Sequence, residues 1–124
     1  MRRRKLLLVE DDAEIRELIR LTLEPLRLQI HEAVAVADAW VLIKTQRPGM
    51  VLLDMNLETQ RDGLALCQRI KQAPACAGIK VIIVSTASQA EDLHRGAMAG
   101  ADLYIVKPFS PAQLLDSVRA QLAL

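Results

Sequence analysis

Four short apolar runs of this sequence each end at polar residues that could take part in phosphoryl chemistry. The residues at these four ends are Glu10-Asp11-Asp12, Asp54, Ser85 and Lys107. Carboxylates that are brought together repel one another unless a cation lies between them, and carboxylate oxygens are ligands that Mg2+ prefers. An ammonium and a hydroxyl beside them suit a phosphoryl group, whose oxygens accept charge-assisted hydrogen bonds. These residue types predict a joint cation and phosphoryl site, provided that the fold brings the four ends together.

The apolar runs that carry these residues are typical of strands covered on both faces. They occupy 6–9, 50–53, 81–84 and 103–106, and a fifth segment, which alternates at period two over 28–34, predicts a half-exposed edge strand. Parallel strands place their carboxyl ends at one edge of a sheet, where open α/β folds bind their ligands. The polar ends would therefore meet in one pocket.

Helical patterns separate the predicted strands. The spacing predicts helices over 15–23, 38–46, 64–72 and 90–98, and a last helix that begins at Pro111 after a Ser110 cap. Asp12 is a plausible cap of the first helix. Strand and helix thus alternate five times, which predicts right-handed crossovers and a doubly wound parallel sheet.

Length and composition favour one globular domain that occupies residues 1–124. The chain is 52% apolar and 25% charged with a net charge of +1, which excludes a disordered chain and indicates neither nucleic-acid nor membrane-surface binding. No apolar stretch is long enough to span a membrane. Cys67 and Cys76 match no common zinc spacing, and the absence of a disulfide framework and a secretion signal favours the cytoplasm.

Four motifs in this order resemble those of the receiver domains of bacterial two-component response regulators, typified by the chemotaxis regulator. The motifs are Leu-Val-Glu-Asp-Asp at 8–12, Leu-Leu-Asp-Met-Asn at 52–56, Ile-Val-Ser at 83–85 and Tyr-Ile-Val-Lys-Pro-Phe at 104–109. The resemblance covers nearly the whole chain. It implies a flavodoxin-like, doubly wound five-stranded parallel sheet in the order 2-1-3-4-5 with five helices.

The resemblance also implies a reaction and a cofactor. Asp54 would accept a phosphoryl group from a histidine kinase or a phosphotransfer protein, as an acyl phosphate. Mg2+ would be held by Glu10, Asp11 and Asp54 and by the backbone carbonyl of Asn56. Asp12 matches a less critical third acid, and we expect it to act mainly as a helix cap. The chain would be a phosphoacceptor with intrinsic autophosphorylation and autodephosphorylation chemistry, and not a conventional enzyme.

The remaining family residues would respond to the phosphoryl group. Ser85 and Lys107 would contact its oxygens, and the Lys107–Pro108 peptide bond would be cis. Ser85 and Tyr104 would form a switch that changes the face made by helix 4, strand 5 and helix 5. That face would bind a downstream protein or output domain, or a second copy in a phosphorylation-dependent homodimer, without direct nucleic-acid or membrane contact.

One segment departs from the family pattern, and other functions compete with this interpretation. Residues 57–63 have no proline and are one residue longer than in the chemotaxis regulator, which predicts a more mobile loop. A metal-dependent phosphohydrolase with an aspartate nucleophile would need a second acid at position 56, which is Asn56. A flavin-binding module would need a hydroxyl- and glycine-rich loop in place of the acids after the first strand. A non-phosphorylated interaction scaffold would not need the complete set of polar ends.

Overall fold

The apolar runs of the sequence form the central sheet of the protein. A computed structural model describes residues 3–56 and 60–124. The five strands are β1 (Lys5–Val9), β2 (Gln29–Ala33), β3 (Met50–Met55), β4 (Lys80–Ser85) and β5 (Leu103–Val106). All neighbouring strands are parallel, and their order is β2-β1-β3-β4-β5. The predicted flavodoxin-like topology is confirmed, and β2 is an edge strand, as its alternating sequence indicates.

Helices cover both faces of this sheet. Among the described residues, the α-helices are α1 (Ala13–Leu23), α2 (Val36–Gln46), α3 (Gln60–Gln72), α4 (Ala90–Met98) and α5 (Pro111–Leu122). Helices α1 and α5 pack on one face against alternate strand residues such as Leu8 and Leu52. Helices α2 and α3 cover the opposite face, where residues such as Leu7 and Leu53 lie. Because successive strand residues point to opposite faces, near-continuous apolar runs fill both layers.

Local capping explains where several helices begin. The Asp12 carboxylate accepts hydrogen bonds from the Glu14 and Ile15 amides at 2.8 and 3.2 Å, so the predicted cap of α1 is confirmed. Ser110 Oγ accepts a hydrogen bond from the Gln113 amide at 3.0 Å and caps α5. None of the described helices is both long and apolar enough to cross a membrane.

Several element boundaries differ from those expected from the sequence, most of them by one or two residues, and two of the differences bear on the site. Strand β3 continues past Leu53, so that Asp54 lies within the strand. Helix α3 begins at Gln60, four residues before the predicted start. Residues 60–63 are therefore helical and not part of a longer loop, while the rest of the predicted loop, residues 57–59, lies outside the described residues. Gly63 argues against a helix over these residues in the sequence, because glycine is a poor helix former.

Candidate functional site

The carboxylate of Asp54 lies at the centre of the carboxyl edge of the sheet. Strand β3 is the middle strand, and Asp54 pairs in register with Val84 of β4. Its side chain is completely buried, and Lys107 Nζ contacts Asp54 Oδ1 in an ion pair. Lys107 follows β5, and β4 lies between β5 and β3 in the sheet. The long Lys107 side chain therefore extends past the end of β4 to reach Asp54.

Glu10 is the second buried acid of this edge. Its backbone is fixed from two sides, since its N–H donates to the Ala33 carbonyl and its own carbonyl accepts from the Arg16 guanidinium, both at 3.0 Å. Its Oε1 accepts a hydrogen bond from the Asp12 amide at 3.1 Å. Asp11 and Asp12 are exposed, unlike Glu10. The acidic run therefore separates into one buried carboxylate and two carboxylates at the rim.

Burial and neighbouring charges set the electrostatics of these acids. Burial, together with the negative charge of Asp54, raises the pKa of Glu10 to about 8. Burial also raises the pKa of Asp54, although the hydrogen bond and charge of Lys107 act in the opposite direction. Loss of hydration penalises an ionised carboxylate, and a neighbouring carboxylate adds to that penalty. A group of positive charge entering beside Glu10 and Asp54 would relieve both effects.

Ser85 and the backbone of Lys107 are joined at the end of β4. Ser85 is fully buried, its Oγ accepts a hydrogen bond from the Ala87 amide at 3.0 Å, and its carbonyl accepts from the Lys107 amide at 2.8 Å. The Lys107–Pro108 peptide bond is cis. Ser85 and Lys107 are thus held at adjacent strand ends, and the Lys107 side chain crosses to Asp54.

Two open clefts lead from solvent to Asp54. One, of about 620 Å3, is lined by the acids and by Asn56 and Lys107, and it also includes Asp62 of α3. The other, of about 500 Å3, lies between α1 and the segment after β5, and Thr86 and Phe109 line it. Asp62 and Thr86 were not among the residues predicted for the site, because neither stands directly at the end of an apolar run. A helix predicted to begin at Gln60 would have placed Asp62 in its first turn and would have indicated a position near the cleft.

The donor set of the acidic cleft fits a magnesium ion. Glu10, Asp11, Asp54 and Asn56 offer carboxylate or carbonyl oxygens, the hard ligands that Mg2+ takes, usually from one or two carboxylates together with phosphate and water. Within the residues described, no three acidic, histidine or cysteine side chains stand at the spacing of an assembled metal centre. Burial raises the pKa of both Glu10 and Asp54, and the charge of Asp54 raises that of Glu10 further, so a cation in this cleft would stabilise both ionised carboxylates.

Tyr104 lies away from the acids but is connected to Ser85 through the backbone of Ala87. The Tyr104 hydroxyl donates a hydrogen bond to the Ala87 carbonyl at 2.6 Å, and the amide of Ala87 donates to Ser85 Oγ. The tyrosine ring is partly buried against the core layer that contains Ile83. A change at Ser85 can therefore reach Tyr104 through a single residue.

A parallel sheet in this order, with an aspartate, an ammonium and a hydroxyl at its carboxyl edge, defines a phosphoacceptor class of α/β domain. The response regulator receiver domain family matches residues 6–119, and the chain belongs to that family.

Relatives and solved structures agree with this assignment. The chain is 31% identical to the DNA-binding dual master transcriptional regulator RpaA of Synechocystis over 118 residues, which are 95% of this chain and 48% of that protein. It is 33% identical to the phosphate regulon transcriptional regulatory protein PhoB of Pseudomonas aeruginosa, over 94% of this chain and 51% of that protein. The chain thus spans about half the length of these curated relatives. A crystal structure of a putative response regulator from Chloroflexus aurantiacus superposes with a TM-score of 0.88 at 28% identity, covering 99% of this chain and all of the other.

Proposed function

We propose that this chain receives a phosphoryl group on Asp54 and reports that event to a partner. The observation that carries the proposal is the fully buried Asp54 carboxylate, which contacts the Lys107 ammonium and lies beside a second buried acid, Glu10. A buried carboxylate with a raised pKa destabilises the folded protein at neutral pH, and such groups cluster at functional sites. Membership of the receiver family supports the same conclusion.

In the proposed reaction, a carboxylate oxygen of Asp54 attacks the phosphorus of a phosphohistidine or of a small acyl phosphate. A new P–O bond forms, the bond from phosphorus to the donor breaks, and the donor atom retains that electron pair. The Lys107 ammonium moves its ion pair from the carboxylate to an oxygen of the incoming phosphoryl group, because the carboxylate loses its negative charge when it becomes an acyl group. Ser85 supplies a hydroxyl to another phosphoryl oxygen. Water later hydrolyses the acyl phosphate, so the chain is a phosphoacceptor with intrinsic chemistry and not a conventional enzyme.

Glu10, Asp11, Asp54 and the Asn56 backbone carbonyl are the residues that would hold Mg2+. When bound, the ion would neutralise phosphoryl charge during transfer. Glu10 and Asp54 orient their carboxylates toward the same cleft, and the negative charge of Asp54 is one cause of the raised pKa of Glu10. Asp12 has a different role, because its carboxylate caps α1.

The output belongs to the side of the domain that carries Ser85 and Tyr104. Phosphorylation would draw the Ser85 hydroxyl toward the phosphoryl group and shift Tyr104 through Ala87, altering the face of α4, β5 and α5. A downstream protein or output domain would bind that face, or two copies would pair through it. Relatives described as transcriptional regulators support an output in gene control and a cytoplasmic location, and we assign no nucleic-acid contact to residues 1–124, which we regard as one receiver domain.

Labelling with acetyl phosphate and Mg2+, followed by intact mass measurement, tests the proposal. The wild-type chain should gain one phosphoryl group, and chelation of Mg2+ should prevent it. Asp54→Asn has nearly the same shape but cannot form the acyl phosphate, so it should gain none. Equal labelling of the variant would refute the assignment of Asp54, and an unlabelled wild-type chain would favour a non-phosphorylated scaffold.

A further inference from the structure

Gly96 of α4 lies directly against the ring of Tyr104. A Cβ atom at position 96 would stand 2.7 Å from Tyr104 Cδ2 and 3.2 Å from Cε2, with Ile83 Cδ1 at 3.6 Å. Real Cβ atoms essentially never approach other heavy atoms within 3.0 Å. The ring therefore occupies space that every residue except glycine would fill.

The backbone at Gly96 does not itself require glycine. The positive φ angles found among the described glycines are limited to Gly100, and Gly96 lies inside the regular helix α4. Glycine weakens a helix interior more than any residue except proline. The reason for a glycine at this buried position is therefore the ring of Tyr104.

The same ring is held at its other end by the segment between β4 and α4. The Tyr104 hydroxyl donates to the Ala87 carbonyl at 2.6 Å, and the Ala87 amide donates to Ser85 Oγ at 3.0 Å. Gly96, Ile83 and Ala87 together form what we call the ring site. Tyr104 in this site connects α4 to Ser85, and thereby to the edge where Asp54 lies.

We propose that Gly96 is the residue that couples Tyr104, and with it α4, to the chemistry at Asp54. The inference rests on the proposed function and extends it to regulation. A methyl group at position 96 would exclude the ring from the ring site, break the bond to the Ala87 carbonyl, and disconnect α4 from Ser85. Phosphorylation itself would persist, because Gly96 contributes no group to the acidic cleft.

The sequence contains one tyrosine, so 3-fluorotyrosine gives a single 19F signal for Tyr104. In the wild-type chain, beryllofluoride with Mg2+, a phosphoryl mimic, should move this signal. In Gly96→Ala, the signal should differ from wild type before any addition and should not move afterwards, while acetyl phosphate should label Asp54 as in wild type. Gly78→Ala is a matched control, because a Cβ there meets nothing within 4 Å, and it should behave as wild type.

A comparison of melting temperatures tests the contact independently of phosphorylation. With Tyr104→Val, which removes the ring and suits a strand, Gly96→Ala should raise the melting temperature by about 3 °C through helix propensity. With Tyr104 present, the same change should give no rise or a fall. Equal rises in both backgrounds would show that the ring does not require glycine and would overturn the inference.

The outcomes separate the inference from the proposed function. A wild-type chain that gains no phosphoryl group would refute the proposed function, and the regulatory role of Gly96 with it. A labelled wild-type chain together with a Gly96→Ala signal that still moves on adding beryllofluoride would refute the role of Gly96 alone. A labelled Gly96→Ala chain whose signal stays still would support the coupling.

Discussion

Two aspartates at opposite edges of the sheet have opposite electrostatic environments. Asp102 precedes β5 at the edge formed by the amino ends of the strands, which we call the amino edge. It accepts hydrogen bonds there from Lys71 Nζ at 2.6 Å and from the Val81 amide at 2.8 Å. Burial tends to raise the pKa of Asp102, but the hydrogen bonds from Lys71 and Val81 outweigh it and lower the pKa below its ordinary value. At the carboxyl edge, burial outweighs the single cation Lys107 and raises the pKa of Asp54.

The difference indicates what each acid contributes. The partners of Asp102 come from α3 and β4, so its negative charge joins these two elements to the start of β5 and stabilises the fold. Asp54 has the cation Lys107, but the effect of burial is larger, so its charge is stabilised less than water would stabilise it. An acid with a raised pKa and an incomplete set of partners retains the capacity to react with a ligand, at a cost in stability.

The largest expected effect is the loss of the amino-edge contacts. Asp102→Ala should lower the free energy of unfolding by about 1–3 kcal/mol, because it leaves the buried Val81 amide without its acceptor. Urea unfolding followed through the single tryptophan, Trp40, measures the change. Asp102→Asn keeps a carbonyl oxygen for the Val81 amide and should lose less. A loss from Asp102→Ala no larger than that of an ordinary surface substitution would remove the contrast between the two edges.

The pH dependence of stability should show both edges in magnesium-free buffer. The pKa of Glu10 is raised from 4.5 to about 8, so the folded state binds the extra proton between these values, and stability should fall as pH rises through that window. The lowered pKa of Asp102 acts in the opposite sense, so its contribution is lost as pH falls below its ordinary value of 3.8. Unfolding measured across pH should give both slopes. Glu10→Gln should flatten the upper slope, and Asp102→Asn should flatten the acidic one.

An asparagine substitution at Asp54 should change stability in the opposite direction to one at Asp102. Asp54→Asn should raise the free energy of unfolding at neutral pH by about 1–2 kcal/mol, because it removes a buried charge kept for function. Thermal or urea unfolding measures this gain, and the same protein should accept no phosphoryl group. Asp102→Asn is the matched variant and should lose stability while labelling normally. A destabilised Asp54→Asn would mean that Lys107 compensates the burial of the carboxylate.

The smallest expected changes in stability distinguish the roles of the adjacent acids Asp11 and Asp12. Asp12→Ala removes the α1 cap and should cost about 1 kcal/mol of unfolding free energy, with labelling largely retained. Asp11→Ala should leave stability within about 0.5 kcal/mol, since Asp11 is exposed, but should weaken Mg2+ binding and labelling together. Unfolding and calorimetric Mg2+ titration on both variants give the comparison. A larger loss of Mg2+ affinity from Asp12→Ala would reverse these two roles.

Most elements and their order follow from local sequence patterns, whereas the early start of α3 does not. The predicted bounds of α4 and β5 agree with the structure, because each has clear periodicity and flanking signals. The early start of α3 includes Gly63, whose presence argues against a helix. In the structure, a Cβ at Gly63 would overlap Met55 Sδ, so glycine allows α3 to approach the residue that follows Asp54. The need for glycine at position 63 comes from the position of β3, so it cannot be predicted from the local periodicity of the sequence.

The sequence alone determined which chemistry the carboxyl edge could perform, because strand runs and the polar residues after them are local patterns. It also determined the cap role of Asp12, which depends on amides two and three residues away. Only the tertiary structure decided that Glu10 and Asp54 are buried while Asp11 is not, and that Tyr104 lies against Gly96. Burial, pKa and ring contacts depend on atoms from elements distant along the chain, so they arise only when the sheet and its helices have assembled.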